Sequence, residues 1–230
     1  GMAKPLLVIG NKNYSSWSMR PWVLLRHFGI AFEEIKLRFD FAPDSAFYRE
    51  LTRHTPAGKV PVLLVDGFAV WDTLAIAETV ADLHPEHAVW PRDAMQRARS
   101  RSLCAEMHAG FAALRSACPM NIEASLPEVG VRVMADEAAV RTDIARIDAM
   151  WAQQLAASGG PFLFGRFGAA DAYYAPVAAR IRTYALPVSD AARAYIERLW
   201  AAPGVSHWVA DALAERDFLD FEEPYRASRD

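Results

Sequence analysis

Two adjacent serines, Ser15 and Ser16, stand before apolar residues at helical spacing, and their hydroxyl groups could bind an anion. The spaced residues are Trp17, Pro21, Leu24, Leu25 and Phe28. The start of a helix carries free N–H groups and the positive end of the helix dipole, and both attract negative charge. The spacing therefore predicts a hydroxyl-lined anion site at a helix N-terminus. A simpler interpretation is that the serines only form a turn or cap the helix.

Pro21 suggests where this helix begins. Because proline has no N–H to donate, it is best tolerated in a first turn, where amides lack intrahelical partners. This predicts Ser18 as the N-cap of a helix over about 17–28, with Gly29 ending it. Ser15 and Ser16 would then lie just before the helix.

The composition predicts a folded globular protein and narrows its partners. The chain has 230 residues, of which 53% are hydrophobic and 23% charged, and its net charge is −3. This balance, without a basic run, argues against a nucleic-acid partner. No apolar segment reaches the ~18 residues of a membrane span and no signal peptide is recognisable, so we expect a cytoplasmic location and no membrane partner.

Other catalytic and metal-binding patterns are missing from the sequence. The six histidines show no metal-ligand spacing, which predicts no metal site. No CxxC, G-x-S-x-G or phosphate-loop pattern occurs. Cys104 and Cys118 are predicted to lie in one helix, roughly 21 Å apart along its axis, which is too far for a disulfide. We expect both to be small buried residues.

The first part of the chain mixes strand and helix patterns. The predicted elements are a strand at 6–9, a helix at 17–28, an alternating strand with Ile35, Leu37 and Phe39, a short helical piece at 45–53, and a helix at 73–84. Asp66-Gly67 lies between two apolar runs and indicates a two-residue hairpin. The predicted order is βαβ followed by ββα.

Strand signals stop after this unit, and the rest reads as helices. Three sets of apolar residues each share one predicted helix face: Leu103, Met107, Gly110, Phe111 and Leu114; Val140, Ile144, Ile147, Trp151 and Leu155; Tyr173, Val177, Ile181 and Tyr184. We predict a first domain at 1–85, a linker at 86–93 and an all-helical domain at 94–230.

Four segments, in this order, make the chain resemble the cytosolic glutathione transferases. They are YSSWSMR at 14–20, TPAGKVPVL at 55–63, VWDTLAIAETV at 70–80 and FGRFGAADAYYAPV at 164–177. The first is most similar to the serine-type, zeta-like opening of that family. The resemblance implies an α/β thioredoxin-like N-terminal domain (βαβ-ββα) followed by an all-α C-terminal domain, with glutathione as co-substrate.

The resemblance also implies roles for individual residues. Ser16 or Ser15 would donate a hydrogen bond to the glutathione sulfur, and Tyr14 stands near the place of the donor in tyrosine-type members. The residues implied to bind glutathione are Lys59, Val60, Pro61, Asp72 and Thr73, with Pro61 in the cis form. Without the resemblance, Lys59 would be a solvated side chain and Asp72-Thr73 an ordinary helix cap.

Two features depart from the family pattern. Asp72-Thr73 replaces the usual Glu/Gln-Ser pair, which shortens the acid by one methylene and could weaken its contact with the amino group of glutathione. Gly168 stands where a Ser or Thr helix cap is usual, and this change bears mainly on stability.

The function implied is a glutathione transferase that joins the glutathione thiolate to a small hydrophobic electrophile, as in detoxification. Trp17, Met107, His108 and Phe111 are the candidates for the electrophile pocket, although most of such a stripe is usually core. The alternatives are a glutathione-dependent cis-trans isomerase of the maleylacetoacetate type and a non-catalytic, glutathione-transferase-like binding or assembly domain. Trp17 stands in place of the zeta motif's cysteine and speaks against the isomerase.

A homodimer is expected from the resemblance, because family members pair the first domain of one subunit with the helical domain of the other. Residues near the linker would suit a mixed polar and apolar contact: Arg92, Arg97, Arg99 and Arg101 beside Met95 and Leu103.

Overall fold

The computed structural model describes residues 3–230, and its first part is a mixed sheet with helices. The elements are β1 (Leu6–Ile9), α1 (Ser16–His27), β2 (Glu33–Lys36), α2 (Ala46–Leu51), β3 (Val62–Val65), β4 (Phe68–Trp71) and α3 (Thr73–Leu83). The strands run in the order β2-β1-β3-β4, with β1 parallel to β2 and β3 antiparallel to both β1 and β4. This is the predicted βαβ-ββα order.

The second part contains helices. They are α4 (Ala94–Ala109), α5 (Ala112–Ala117), α6 (Pro127–Asp136), α7 (Ala138–Ser158), α8 (Ala169–Tyr184), α9 (Asp190–Ala201) and α10 (Pro203–Glu215), followed by a 3-10 turn at Asp220–Glu222. The fold class predicted from the sequence, a thioredoxin-like domain followed by an all-α domain, is confirmed. Within residues 3–230, none of the helices combines the length and the apolar character that crossing a bilayer requires.

The hairpin between β3 and β4 follows directly from the residues at its turn. Asp66 and Gly67 both adopt positive φ, 49° and 78°, as a two-residue turn of this kind requires. The turn sets the register, which pairs Val65 with Phe68 and Val62 with Trp71. The hairpin thereby carries the chain from Pro61 to Asp72.

The predicted N-cap of α1 is wrong by three residues, although the predicted span of 17–28 is close to the one observed. The helix begins at Ser16 with Ser15 as its N-cap, and Pro21 lies inside it. The turn before the helix directs the Ser15 amide to the Asn11 carbonyl, at 2.8 Å, and this starts the helix early. The Ser18 hydroxyl instead accepts a hydrogen bond from the Gly10 amide, at 3.2 Å. Ser18 thus ties α1 to the end of β1 and does not cap the helix.

The prediction that Cys104 and Cys118 share one helix is also wrong. The helix stops at Gly110, whose amide bonds to the Glu106 carbonyl, and Phe111 turns the chain with a left-handed φ of 55°. A Cβ on Gly110 would lie 2.7 Å from the Glu106 carbonyl oxygen, so the turn needs glycine there. Both cysteines are buried and free.

Helix α8 is the central element of the second part. It is buried almost all round, and the residues predicted to share its inner face, Tyr173, Val177, Ile181 and Tyr184, are all in the core. The face predicted on α7, from Val140 to Leu155, is buried as well.

The glycine at the start of α8 is supported by a buried carboxylate. Asp171 accepts hydrogen bonds from the Gly168 amide at 2.9 Å, the Leu163 amide at 3.2 Å and the Tyr195 hydroxyl at 2.6 Å. Burial raises the pKa of Asp171 to about 6. Asp171 thus supplies the carboxylate half of a capping box, while Gly168 has no side chain to supply the other half.

Helix α1 packs between its own sheet and the helical part. Gly204, at the start of α10, lies so close to α1 that a Cβ there would be 2.4 Å from the Val23 carbonyl oxygen. On another face, the Arg20 Nε donates to the Tyr173 carbonyl oxygen of α8, at 3.0 Å. The start of α1 is therefore fixed by the helical part as well as by β1.

The residues singled out for a subunit contact are only partly available on the surface. Met95 is 72% exposed on α4, but Leu103 is buried. Arg97 donates to the carbonyl oxygens of Pro91 and Arg92, and Arg101 pairs with Glu78. The homodimer stays a prediction.

Candidate active site

A cavity of about 500 Å³ lies at the start of α1, where the two parts of the molecule meet. Its lining combines residues from both parts: Trp17, Ala57, Lys59, Pro61, Trp71, Asp72, Thr73, His108 and Arg115. Four of the five residues predicted to bind glutathione, all except Val60, are in this lining. Val60 immediately precedes Pro61, and the bond between them is cis, as expected.

Asp72 enters the cavity with an unusual backbone. Its φ is 77°, in the left-handed region that non-glycine residues seldom occupy. One carboxylate oxygen, Oδ1, accepts from the Leu74 amide at 2.9 Å and so caps α3. The other, Oδ2, lies 3.3 Å from His108 Nε2 on α4. Asp72 is thus a helix cap, and it is also held by the opposite wall of the cavity.

Thr73 and Tyr173 continue this contact between the two walls. The two hydroxyl oxygens are 2.8 Å apart, and the Tyr173 hydroxyl lies 3.3 Å from His108 Nδ1. The His108 ring is in turn 4.9 Å, centroid to centroid, from the Trp17 ring. Asp72, His108, Tyr173 and Thr73 therefore form one polar network that joins the start of α3 to α4 and α8.

The two serines have different surroundings. Ser15 is buried, and its hydroxyl donates to Ser18 Oγ at 2.7 Å. Ser16 is half-buried at the first position of α1, and its Oγ accepts a hydrogen bond from Arg180 Nη2 at 3.5 Å. The proton of Ser15 is therefore engaged within the protein, whereas the contact of Ser16 occupies only its oxygen.

Tyr14 faces away from the cavity, toward the end of the chain. Its hydroxyl donates to Glu223 at 2.7 Å and accepts from the Leu219 amide at 3.2 Å. Burial, with a contribution from Glu223, raises the pKa of Tyr14 to about 12. The phenol is thus a structural group that fastens the C-terminal segment.

The loop before α1 makes further contacts with that segment. The amides of Lys12 and Asn13 both donate to the Glu215 carboxylate, at 2.9 and 3.2 Å, and the Asn11 side chain donates to Asp217 at 3.0 Å. The loop that precedes the site is therefore held by residues from the far end of the sequence.

Three arginines gather around Ser16 and Trp17. Arg20 and Arg180 are fully buried, and Arg115 lines the cavity. Among residues 3–230, none of the three has a carboxylate within ion-pair distance. Burial and the charge of Arg180 lower the pKa of Arg20 to about 9, and burial lowers that of Arg180 to about 10. Both stay protonated at neutral pH, so the site carries uncompensated positive charge.

These arginines were missed in the sequence, although one signal was available. Arg180 lies seven residues after Tyr173, on the face of α8 that the apolar pattern predicts to be buried. A charge at such a position is costly unless it is paired or placed for a function. The contact with Ser16 is not visible in the sequence, because 164 residues separate the two.

The four residues suggested for an electrophile pocket divide into two pairs. Trp17 and His108 line the cavity. Met107 is fully buried, where its sulfur accepts from Arg20 Nη2 at 3.1 Å, and Phe111 is buried at the turn between α4 and α5. Neither Met107 nor Phe111 is in the lining.

Comparison with known proteins gives the family. A model of the glutathione S-transferase N-terminal domain matches residues 14–83, and a model of the C-terminal domain of the same family matches residues 98–211. The chain belongs to the glutathione S-transferase family. Both models cover residues of the cavity, since its lining runs from Trp17 to Arg115.

Similar proteins include transferases and isomerases of this family. A probable maleylacetoacetate isomerase of Caenorhabditis elegans is 27% identical over 113 residues, which are 49% of this chain and 50% of that protein. The chain spans about half the length of the curated relatives it matches.

Solved structures share the fold of this transferase-family chain over most of its length. A glutathione transferase homologue from Burkholderia, with bound glutathione, has a TM-score of 0.67 and 23% identity, covering 91% of this chain and 98% of its own. The maleylacetoacetate isomerase of Anaeromyxobacter dehalogenans has a TM-score of 0.62 and 22% identity, covering 90% and 91%.

Replacing Tyr14 by Phe should weaken the fold without acting on the chemistry of the site. The change leaves Glu223 and the Leu219 amide without the phenolic partner, and we expect a loss of about 1–2 kcal/mol in the free energy of unfolding. Denaturant unfolding of Tyr14→Phe and of Tyr48→Phe, a half-buried tyrosine in α2, measures the difference. Equal stability of the two variants would contradict a structural role for the Tyr14 hydroxyl.

Proposed function

We propose that this protein is a glutathione transferase, in which the thiolate of bound glutathione attacks a small electrophile. One observation carries the proposal: Lys59, Pro61, Asp72 and Thr73, which come from two separate family motifs, line one cavity at the N-terminus of α1. A helix N-terminus favours an anion, and an Asp-Thr pair at the start of α3 suits the amino and carboxylate groups at one end of the peptide. The backbone of Val60 would pair with the middle of the peptide.

The catalytic task is to ionise the thiol of glutathione. An unperturbed thiol has a pKa near ~8.5, so making it mostly thiolate at neutral pH requires a shift of about two units, or ~2.7 kcal/mol. A helix N-terminus contributes ~0.3–1 kcal/mol, or up to ~2 when sheltered, and a hydrogen bond to a charged group adds ~1.5–3 kcal/mol. A hydroxyl donor at the start of α1 combines the two contributions.

Ser16 is the best candidate for this donor. Its oxygen accepts from Arg180, which leaves its proton available for the sulfur. Ser16 is not among the residues that line the cavity, but it immediately precedes Trp17, which is. Ser15 is less suitable because its proton is given to Ser18. The unpaired positive charges of Arg20, Arg115 and Arg180 would favour the thiolate over the neutral thiol. Ser16 acts as a hydrogen-bond donor and forms no covalent intermediate.

Replacing Ser16 by Ala should raise the pKa of the bound thiol by about one to two units and lower kcat/KM about tenfold or more near neutral pH. The loss should shrink at higher pH, because the thiol then ionises without help. Ultraviolet titration of the thiolate in the enzyme–glutathione complex measures the pKa directly.

Ser15→Ala and Tyr14→Phe are the controls for this experiment, because both remove a hydroxyl within two residues of Ser16. We expect neither to raise the thiol pKa by more than a few tenths of a unit. If Ser16→Ala leaves the thiol pKa unchanged and one of the two controls raises it, the residue replaced in that control is the donor.

Replacing Asp72 by Asn should raise the KM for glutathione about tenfold while kcat changes less than about twofold. The contact with the amino group is made equally in the ground state and the transition state, so its loss weakens binding. The Asn side-chain oxygen can still cap α3. Asp66→Asn, on the exposed hairpin turn, is the matched control. If calorimetry finds no glutathione binding to the unmodified protein at millimolar concentration, the non-catalytic domain becomes the better hypothesis.

A glutathione-dependent cis-trans isomerase of the maleylacetoacetate type is the second candidate. Arg115 favours it, because this cavity-lining guanidinium has no carboxylate partner among residues 3–230 and suits a substrate that carries one. Two curated relatives, each matched over about half its length, bear the name of that isomerase. In this reaction glutathione adds to the substrate and leaves again, so none is consumed.

Substrate turnover separates the two candidates. With maleylacetone, an isomerase gives a changed substrate spectrum at constant thiol concentration, whereas conjugation of an electrophile consumes thiol. Arg115→Met should lower kcat/KM for the carboxylate-bearing substrate about tenfold and that for a neutral electrophile less than about twofold. Arg146→Met, an exposed arginine on α7, is the control. Equal losses with both substrates would contradict a carboxylate-binding role for Arg115.

A further inference from the structure

We infer that Arg180 is a positioning residue for Ser16: its guanidinium holds the Ser16 oxygen and thereby turns the hydroxyl proton toward the bound thiolate. The inference rests on the proposed function, in which Ser16 donates to the sulfur of glutathione. It adds a residue of α8, in the helical part, to a site otherwise attributed to the start of α1.

The geometry fixes Arg180 from several directions. Its Nε donates to the Cys118 carbonyl oxygen at 2.9 Å and its Nη1 to the Pro176 carbonyl oxygen at 3.4 Å. Its remaining nitrogen, Nη2, donates to Ser16 Oγ at 3.5 Å. A rigid planar group held by two carbonyls can present its third donor in only one direction.

The hydrogen bond constrains the Ser16 hydroxyl. A hydroxyl has one proton and two lone pairs, and the proton must point away from a donor that occupies a lone pair. Among residues 3–230, Ser16 Oγ has no contact with a side-chain acceptor that would take this proton. A hydroxyl that accepts from a cation is also a stronger donor, because the two hydrogen bonds polarise each other. Arg180 thus both orients the Ser16 hydroxyl proton and makes that hydroxyl a stronger hydrogen-bond donor.

The positive charge of Arg180, next to Ser16, is not neutralised by a carboxylate within residues 3–230. The partners of its other two nitrogens are backbone carbonyls, which leave the net positive charge in place. Arg115 and Arg20, the neighbouring ionised groups, are also cations, and no carboxylate pairs with Arg180 in the described chain. Burying such a group is costly, and an anion bound next to Ser16 would offset part of that cost.

Arg20 provides a matched control because it is equally buried but holds Ser16 differently. Its Nη1 donates to the Ser16 backbone oxygen at 3.0 Å, and its other donors contact the Tyr173 carbonyl and the Met107 sulfur. Removing Arg20 takes away a nearby charge but not the contact with the hydroxyl. A general effect of positive charge should therefore be shared by both arginines, and positioning of the Ser16 proton only by Arg180.

A double-mutant cycle on the thiol pKa tests the inference. The variants are Arg180→Met, Ser16→Ala and the double replacement, each titrated by thiolate absorbance in the complex with glutathione. We expect Arg180→Met to raise the pKa by about one unit in the Ser16 protein and by about half as much in the Ser16→Ala protein, where only the loss of its charge acts. Arg20→Met should give the same shift in both backgrounds.

Three results would overturn the inference in distinguishable ways. An equal shift by Arg180→Met in both backgrounds would mean that the charge acts through space. No shift, with Ser16→Ala still raising the pKa, would leave the proposed function intact and remove Arg180 from it. If Ser16→Ala itself has no effect, the proposed role of Ser16 fails and the inference fails with it.

A second measurement leaves Arg180 in place, in case its replacement disturbs the core. In Ser16→Cys, the new thiol occupies the position of the hydroxyl and can be titrated by its alkylation rate without glutathione. We expect its pKa to lie at least about one unit below the ordinary ~8.5 and below that of Ser15→Cys, which shares the helix terminus but faces Ser18. A Ser16→Cys pKa at or above ~8.5 would overturn the inference.

Discussion

The packing of helix α1 against the helical part of the molecule is the interaction on which the site depends. Arg20 reaches from α1 to the Tyr173 carbonyl of α8, and Gly204 lets α10 approach the Val23 carbonyl. These contacts place the N-terminus of α1 opposite α4, α5 and α8. The residues that face this N-terminus across the cavity, His108 and Arg115, are therefore positioned by tertiary packing and not by the sheet alone.

The charges around the N-terminus of α1 are mainly positive. A helix N-terminus, two buried guanidinium groups and Arg115 all favour negative charge, while the nearest carboxylate in the lining, Asp72, is engaged with His108 and the α3 amide. Asp72 also shares a network with Tyr173 and Thr73 that joins the two parts of the molecule. The lining of the cavity therefore combines one carboxylate, that of Asp72, with the cationic side chains of Lys59 and Arg115.

Features encoded by adjacent residues could be predicted from the sequence. The Asp66-Gly67 turn and the order of strands and helices depend on local backbone preference and apolar periodicity, and both were correct. The N-cap of α1 was not, because the preceding loop and not Pro21 decides it. Periodicity likewise indicated that Phe111 is buried but could not show that the helix breaks there, since burial and helicity are separate properties. The contact between Arg180 and Ser16 depends on how α8 packs, which no local pattern encodes.

The hydrogen bonds between the loop before α1 and the C-terminal segment, residues 215–223, bear on the order in which the protein folds. The amide of Lys12 finds its acceptor in Glu215, 203 residues later in the chain, and Tyr14 finds Glu223 209 residues later. During synthesis the βαβ unit leaves the ribosome long before Glu215 and Glu223 are made. Until then, water is the hydrogen-bond partner of the Lys12 amide. The loop before α1 therefore gains these partners only after residues 215–223 have been synthesised, and contacts of such long range are slow to form.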